Sequence, residues 1–165
     1  EFEALTLTAW LKPAHLQPRK NPIVMGQTSE AGEVTWYFYG SGGLGVGVLS
    51  QENGKPQKWH NFHSDRLIPR HGESDWIFAA VVLDGRTGTA THYFNGEPVA
   101  SETDMFHPPL QLRRATSGNL SFKELRRGDK PDHSEGAIDE LTIFSTALPQ
   151  GEIRRLYKMG APTTP

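Results

Sequence analysis

Apolar and polar residues alternate strictly near the start of the chain. Within residues 3–12, positions 5, 7, 9 and 11 are apolar, and two threonines and Trp10 fill the places between them. A period of two residues is typical of a strand with one buried face. Shorter segments of β-branched and aromatic character, bounded by turn residues, predict further strands. They lie at 22–26, 34–39, 44–49, 58–64, 89–94, 97–101, 119–123 and 136–144.

Residues 76–83, WIFAAVVL, form the most apolar run. Eight residues are short for a buried helix, and the β-branched content favours a strand buried on both faces. We expect this strand at the centre of a sheet. Asn95-Gly96 follows the next strand and predicts a tight hairpin.

One helix is predicted, near the C-terminus. Ile153, Leu156 and Tyr157 are spaced as an apolar stripe, Pro149 suits the first helical turn, and Gly160 is a stop signal. Because no long helical pattern separates the strands, a doubly wound parallel sheet is excluded. The pattern predicts an all-β fold, an antiparallel two-sheet jelly-roll sandwich with one short C-terminal helix.

The composition of the chain restricts the classes of partner that it is expected to bind. The 165 residues carry a net charge of -2, which disfavours a nucleic acid or an anionic membrane surface. No run of about eighteen apolar residues occurs, so we expect no membrane insertion by this segment. Cysteine is absent, which removes disulfides and thiolate chemistry.

Three blocks of sequence resemble laminin-G-like domains of the concanavalin A-like jelly-roll superfamily. LTLTAWLKP at 5–13 is similar to the opening of such domains, and DWIFAAVV at 75–82 with YFNGEPV at 93–99 resembles their central hairpin. GAIDEL at 136–141, followed by Ala147-Leu148 and the helix, is similar to their closing block, and Gly118-Asn119 matches a further short motif. The blocks occur in the family's order over nearly the whole chain.

The resemblance implies a concanavalin A-like domain over residues 1–160 and a tail at 161–165. It also implies a non-catalytic recognition module for a glycan or other surface ligand, or alternatively a structural or protein-interaction domain. Such modules often end larger bacterial envelope or secreted proteins, among them sigma regulators of the iron-dicitrate type, so we expect an extracytoplasmic location. The family's usual strand upstream of the Ala-Trp strand is missing here, which leaves an expected open sheet edge and predicts an edge-strand dimer.

An aromatic strand is expected beside a strand that carries glycines. Residues 34–39 read VTWYFY, and the partner strand contains Gly45 and Gly47. One register places Trp36 and Phe38 beside the glycines, and a slip by one residue places Tyr37 and Tyr39 there. The rings either cover a missing side chain or form a stacking platform for a ligand. We favour outward-facing tyrosines, because hydroxyl groups tolerate water.

The strand at 58–64 supplies the other candidate ligand contacts. Trp59, Asn61 and His63 share one face, and His60 and Phe62 share the other. An indole that stacks on sugar C–H groups, beside amide and imidazole groups, suits a hydroxyl-rich ligand. The predicted ligand-binding residues are Tyr37, Tyr39, Trp59, His63 and, in a loop, Asn119.

No catalytic residue, metal ligand or cofactor is predicted. The adjacent Asp139 and Glu140 point to opposite faces, and Glu102-Thr103-Asp104 lacks a third acid, so a paired-carboxylate glycosidase is disfavoured. Because strand 136–144 is apolar around Asp139 and Glu140, we expect one of the two carboxylates to be half-buried. Its partner would be an arginine, backbone N–H groups or a cation such as calcium.

Overall fold

A computed structural model describes residues 2–15, 20–25, 30–39, 41–51, 55–65, 76–104, 106, 109–110, 116–117 and 135–160. These residues contain ten strands and one helix, α1 (Gln150–Lys158). The strands are β1 (Ala4–His15), β2 (Lys20–Met25), β3 (Val34–Tyr39), β4 (Leu44–Ser50), β5 (Lys58–His63), β6 (Ile77–Asp84), β7 (Thr89–Phe94), β8 (Glu97–Thr103), β9 (Thr116–Ser117) and β10 (Glu135–Phe144). The predicted tail at 161–165 and strand at 119–123 lie outside the described residues.

The strands form two five-stranded antiparallel sheets. The first has the order β10-β1-β6-β7-β8, and the second has the order β5-β4-β3-β2-β9. The predicted all-β two-sheet sandwich is therefore confirmed. The apolar strand β6 is central in the first sheet and is buried on both faces, as its sequence predicts.

The main core lies between the two inner faces. Alternate residues of β1 and β6 meet alternate residues of β3 and β4 across this layer, and all are shielded from water. Burial of these side chains is the principal stabilising contribution to a sandwich of this kind. The residues between them on each strand point outward, so each sheet also presents a second face.

The hairpin between β7 and β8 forms at the predicted position. Asn95 and Gly96 have φ values of 50° and 82°, which the tight turn requires at both positions. The Asn95 side chain accepts a hydrogen bond through Oδ1 from the backbone N–H of Phe78, at 3.0 Å. This bond ties the turn to the start of β6.

Helix α1 covers the outer face of the first sheet. Its Ile153 is fully buried in a second apolar cluster with Trp10, Phe78 and Tyr93. The predicted helix is confirmed, but Pro149 is the N-cap residue rather than a residue of the first turn. Its extended ψ of 154° explains the difference, because a residue with that ψ stands before the helix.

Strand β10 is an edge strand, and the expectation of a half-buried carboxylate there is wrong. Asp139 and Glu140 are both exposed, because β1 covers only one side of the strand. The pairing of β1 with β10 shifts between Thr8 and Trp10, and at this bulge Glu140 takes a φ of 48°. Pairing between chains along this edge stays a prediction.

Candidate functional site

The register of β3 against β4 decides between the two sequence-based alternatives. Tyr37 pairs with Gly45 and Thr35 pairs with Gly47. Trp36 and Phe38 consequently point into the core, where both are fully buried. The tyrosines lie on the outer face of the second sheet, next to the glycines, as favoured.

Tyr37 covers Gly45. A Cβ atom at Gly45 would lie 2.7 Å from the Tyr37 Cζ and 2.9 Å from the Tyr39 Cε2, so the rings occupy the space that a side chain would need. Tyr37 is only 1% exposed. Its ring forms a floor rather than an exposed stacking surface, and a ligand contact at Tyr37 stays a prediction.

Trp59 lies over Gly47 on the neighbouring strand β5. A Cβ atom at Gly47 would lie 3.1 Å from the indole Cε3 and 3.2 Å from the Asn61 Oδ1. Unlike Tyr37, Trp59 is 42% exposed, and it is one of three exposed large hydrophobic residues in the described part of the chain. The absent side chain at Gly47 lets the indole lie close to the sheet while one part of it faces solvent.

These residues line a depression that we call the outer-face groove. It is lined by Thr35, Tyr37, Gly47, Trp59 and Asn61 and has a volume of about 270 Å³. This volume is near the lower end of the range of about 300–1,000 Å³ typical of small-molecule pockets. The groove combines an exposed indole, a phenolic floor and the hydroxyl and amide groups of Thr35 and Asn61, which can exchange hydrogen bonds with hydroxyl groups.

Tyr39 and His63 lie beside the groove. The Tyr39 hydroxyl is 3.1 Å from the Tyr37 hydroxyl and also hydrogen-bonds the Nε2 of His63. The rings of Tyr37 and Tyr39 are nearly perpendicular, at 87°, and those of Tyr39 and His63 meet at 68°. They therefore form no flat multi-ring platform, and an exposed surface for stacking comes from Trp59.

The Tyr37 hydroxyl stays protonated. Its burial, and then its hydrogen bond with Tyr39, raise its pKa above the ordinary value. Its oxygen also lies 3.5 Å from the Asn61 Oδ1, to which it donates a hydrogen bond. Tyr37 thus orients Asn61 at the groove from below.

Sequence reasoning placed four of its five site residues on this face, and it missed others. Asn119 lies outside the described residues. Asn61 and Thr35 line the groove, and the alternation of β5 and β3 could have identified both of them. Nothing in the sequence around Glu102 indicated that it lies beside the site. Glu102 is on the edge strand β8 of the other sheet, and its Oε1 accepts a hydrogen bond from the backbone N–H of His63 at 2.6 Å.

A second contact joins the same two edge strands. The His60 Nδ1 is 2.6 Å from the Asp104 Oδ2, and the His60 Nε2 is 2.6 Å from the Ser50 Oγ. The hydrogen bond to His60 lowers the pKa of the Asp104 carboxyl below its ordinary value. The order Ser-His-Asp is that of a hydrolase triad, but Ser50 is only 4% exposed and points into the sandwich. We call this set the inter-sheet relay (Ser50, His60 and Asp104).

His92 contributes another link between the sheets. It is 1% exposed on the inner face of β7, and its Nε2 lies 3.3 Å from the Phe62 carbonyl oxygen on β5. Burial lowers the pKa of His92 to about 4. The imidazole is consequently neutral near pH 7 and donates through Nε2.

No cluster of three or more histidine, aspartate or glutamate side chains suited to a metal ion occurs in the described ranges. No helix in that part of the chain is long and apolar enough to cross a membrane.

The two antiparallel sheets, the covering helix and the aromatic outer face define a lectin-like β-sandwich. The chain belongs to the Laminin_G_3 family of the concanavalin A-like lectin/glucanases superfamily, whose family model matches residues 1–154. The resemblance seen in the sequence blocks is thereby confirmed. No curated protein sequence matches the chain.

Solved structures show the same fold. The NanB sialidase from Streptococcus pneumoniae aligns with a TM-score of 0.67 and 22% identity, over 94% of this chain and 24% of the sialidase chain. The binding domain of botulinum neurotoxin DC aligns with a TM-score of 0.60 and 15% identity in a complex with SialylT, over 95% of this chain and 36% of the other. The same domain in complex with rat synaptotagmin II aligns with a TM-score of 0.60 and 15% identity, over 96% of this chain and 36% of the other. This chain therefore spans about a quarter to a third of the chains it resembles.

Proposed function

We propose that this chain is a non-catalytic recognition module whose outer-face groove binds a glycan. The observation that carries the proposal is the exposed indole of Trp59, which lies over Gly47 at the side of a groove of about 270 Å³. A sugar ring would stack its C–H face on this indole. Asn61 and Thr35 would exchange hydrogen bonds with its hydroxyl groups, and Tyr39 and His63 would contact the adjoining residue of a longer glycan.

Two features of the chain favour a glycan over a flat protein partner, and one structural neighbour supplies a precedent for a ligand on this fold. The exposed large hydrophobic residues of the described ranges, Trp59, Ile143 and Met159, lie on three different elements and do not form one apolar patch. The groove offers both donors and acceptors, as a hydroxyl-rich ligand requires. A related fold, in the binding domain of botulinum neurotoxin DC, was solved in complex with SialylT.

The same proposal includes the cellular location of the chain. A glycan-binding module of this family would act outside the cytoplasm, as an accessory part of a longer envelope or secreted protein.

A protein ligand is the second candidate, since the neurotoxin domain was also solved with rat synaptotagmin II.

A glycan array screened with wild-type protein and three variants tests the proposal. We expect wild type to bind a defined set of glycans, and Trp59→Ala to weaken that binding by at least about tenfold, equivalent to ~1.4 kcal/mol. Met159→Ala is the matched control, because Met159 is 71% exposed at the C-cap of α1, on the side of the other sheet. Absence of any binding on a broad array, or binding that survives both Trp59→Ala and Tyr39→Ala, would contradict the site.

A further inference from the structure

A second depression lies on the opposite side of the sandwich. It has a volume of about 350 Å³ and is lined by Trp10, Trp76, Asn95, Tyr157, Lys158 and Gly160. Its walls come from the outer face of the first sheet, the β7–β8 turn and the C-terminal end of α1. We call it the helix-side pocket. The outer-face groove belongs to the other sheet, so the two depressions do not share residues.

Aromatic rings form the apolar part of the helix-side pocket. The Trp10 and Tyr157 rings are 5.8 Å apart and tilted by 32°, and Trp10 is packed edge-on against Phe78 at 5.4 Å. Tyr157 packs closely over Gly96, where an added Cβ atom would lie only 3.1 Å from the Tyr157 Cδ1. Trp10 is therefore the buried support of this wall, and the partly exposed rings of Tyr157 and Trp76 are the ones that a ligand can contact.

The polar side-chain groups around this wall are mostly donors. The Nε1 atoms of Trp10 and Trp76 are buried, and neither has a hydrogen-bond partner among the described residues. The Asn95 Oδ1 is occupied by the Phe78 N–H, so its amide presents Nδ2 instead. Because both indole nitrogens are shielded, the polar groups that a ligand can reach are the Asn95 amide and the Lys158 ammonium.

Charge at the rim favours an anion. Lys158 is exposed at the end of α1. The nearby Glu97 is held by Arg154 through two hydrogen bonds of 2.9 and 2.6 Å, which together with the field of Lys158 keep its pKa below the ordinary value. Because Arg154 offsets the Glu97 charge, the ammonium of Lys158 leaves a net positive charge beside the pocket.

We propose that the helix-side pocket is a second binding site, for a small ligand that carries one carboxylate on a ring. The ring would lie against the partly exposed rings of Tyr157 and Trp76, and the carboxylate would accept hydrogen bonds from Lys158 and the Asn95 amide. Acidic monosaccharides and apolar ring acids share this chemistry. The inference does not depend on glycan binding at the outer-face groove.

Nuclear magnetic resonance titration of the four indole N–H groups tests this site. The probes are D-glucuronate, cyclohexanecarboxylate and, as a neutral match, D-glucose, at equal ionic strength. We expect saturable shifts of the Trp10 and Trp76 signals with at least one acid, and no response of these two signals to glucose. Response to glucuronate alone identifies an acidic sugar, and response to cyclohexanecarboxylate identifies a general ring acid; both support the site.

Two variants complete the test. Lys158→Gln should weaken acid binding by about tenfold, as expected for loss of a charge-assisted hydrogen bond, whereas Arg155→Gln should not, because Arg155 pairs with Glu152 on the same helix. Trp76→Ala removes a partly exposed ring of the pocket and should also weaken binding. Static Trp10 and Trp76 signals with both acids, equal binding of glucose, or full affinity in Lys158→Gln would overturn the inference.

Discussion

Substitution of alanine for Gly45 and for Gly47, two residues apart on β4, should have different effects. At Gly45, the Tyr37 ring is buried and hydrogen-bonded, so it cannot move away from an added methyl group. At Gly47, the neighbouring indole of Trp59 is partly exposed and can shift. The same chemical change should therefore affect stability at one position and ligand binding at the other.

We expect Gly45→Ala to lower the free energy of unfolding by about 1–3 kcal/mol, as overpacking does. Gly47→Ala should change it by less than about 0.5 kcal/mol, yet weaken binding to array ligands by tilting Trp59. Urea unfolding measures the first effect, and titration with an array ligand measures the second. Equal stability loss in both variants would contradict this distinction.

The buried His92 predicts a pH dependence of stability. Its pKa is about 4 in the folded chain and 6.5 ordinarily, so the unfolded chain binds a proton between these values that the folded chain does not. Stability is complete above pH 6.5 and falls as the pH drops toward 4. The expected loss between about pH 7.5 and about pH 5 is ~2 kcal/mol from this group.

Urea unfolding of wild type and His92→Gln at both pH values isolates this contribution. Glutamine keeps a donor for the Phe62 carbonyl but does not titrate, so the pH-dependent loss should shrink by about 2 kcal/mol in the variant. An identical loss in both proteins would show that His92 is not responsible.

At the scale of elements, the edge strands β5 and β8 are joined across the two sheets. The inter-sheet relay and the contact of Glu102 with His63 both join these strands, and the second contact lies directly beside the predicted site. These contacts explain how a face built on one sheet is positioned by the other.

Asp104→Asn tests the relay. Loss of the charge-assisted bond to His60 should lower the free energy of unfolding by about 1 kcal/mol near pH 7. Because the pKa of Asp104 is lowered in the folded chain, this contribution is fully present at pH values above the ordinary pKa of an aspartate. It is lost as the pH falls from there through the lowered pKa of the folded chain. Asp65→Asn, in the exposed segment after β5, is the control. Equal stability of the two variants would exclude a stabilising role for the relay.

The elements themselves were largely predictable. Unbroken apolarity identified β6, the Asn95-Gly96 pair identified the β7–β8 hairpin, and the spacing of Ile153, Leu156 and Tyr157 identified α1. Tyr37 was the exception at the site, because alternation shows which face a ring occupies but not how its neighbours cover it. Glu102 could not be found, since its partner His63 is 39 residues away on another sheet.

At the scale of the whole molecule, the sandwich presents two different outer faces. The second sheet carries the exposed indole and mixed donors and acceptors of the outer-face groove, while the first sheet carries the donor-rich helix-side pocket. Two classes of ligand are therefore expected at two separate positions, a glycan at the outer-face groove and a ring acid at the helix-side pocket.

The most direct test is a titration of labelled protein with its strongest array ligand, followed through assigned backbone amide and indole N–H signals. The account predicts saturable shifts at the Trp59 indole and the Gly47 and Asn61 amides, with static Trp10 and Trp76 indoles. Binding that saturates while Trp59, Gly47 and Asn61 stay unchanged would contradict it.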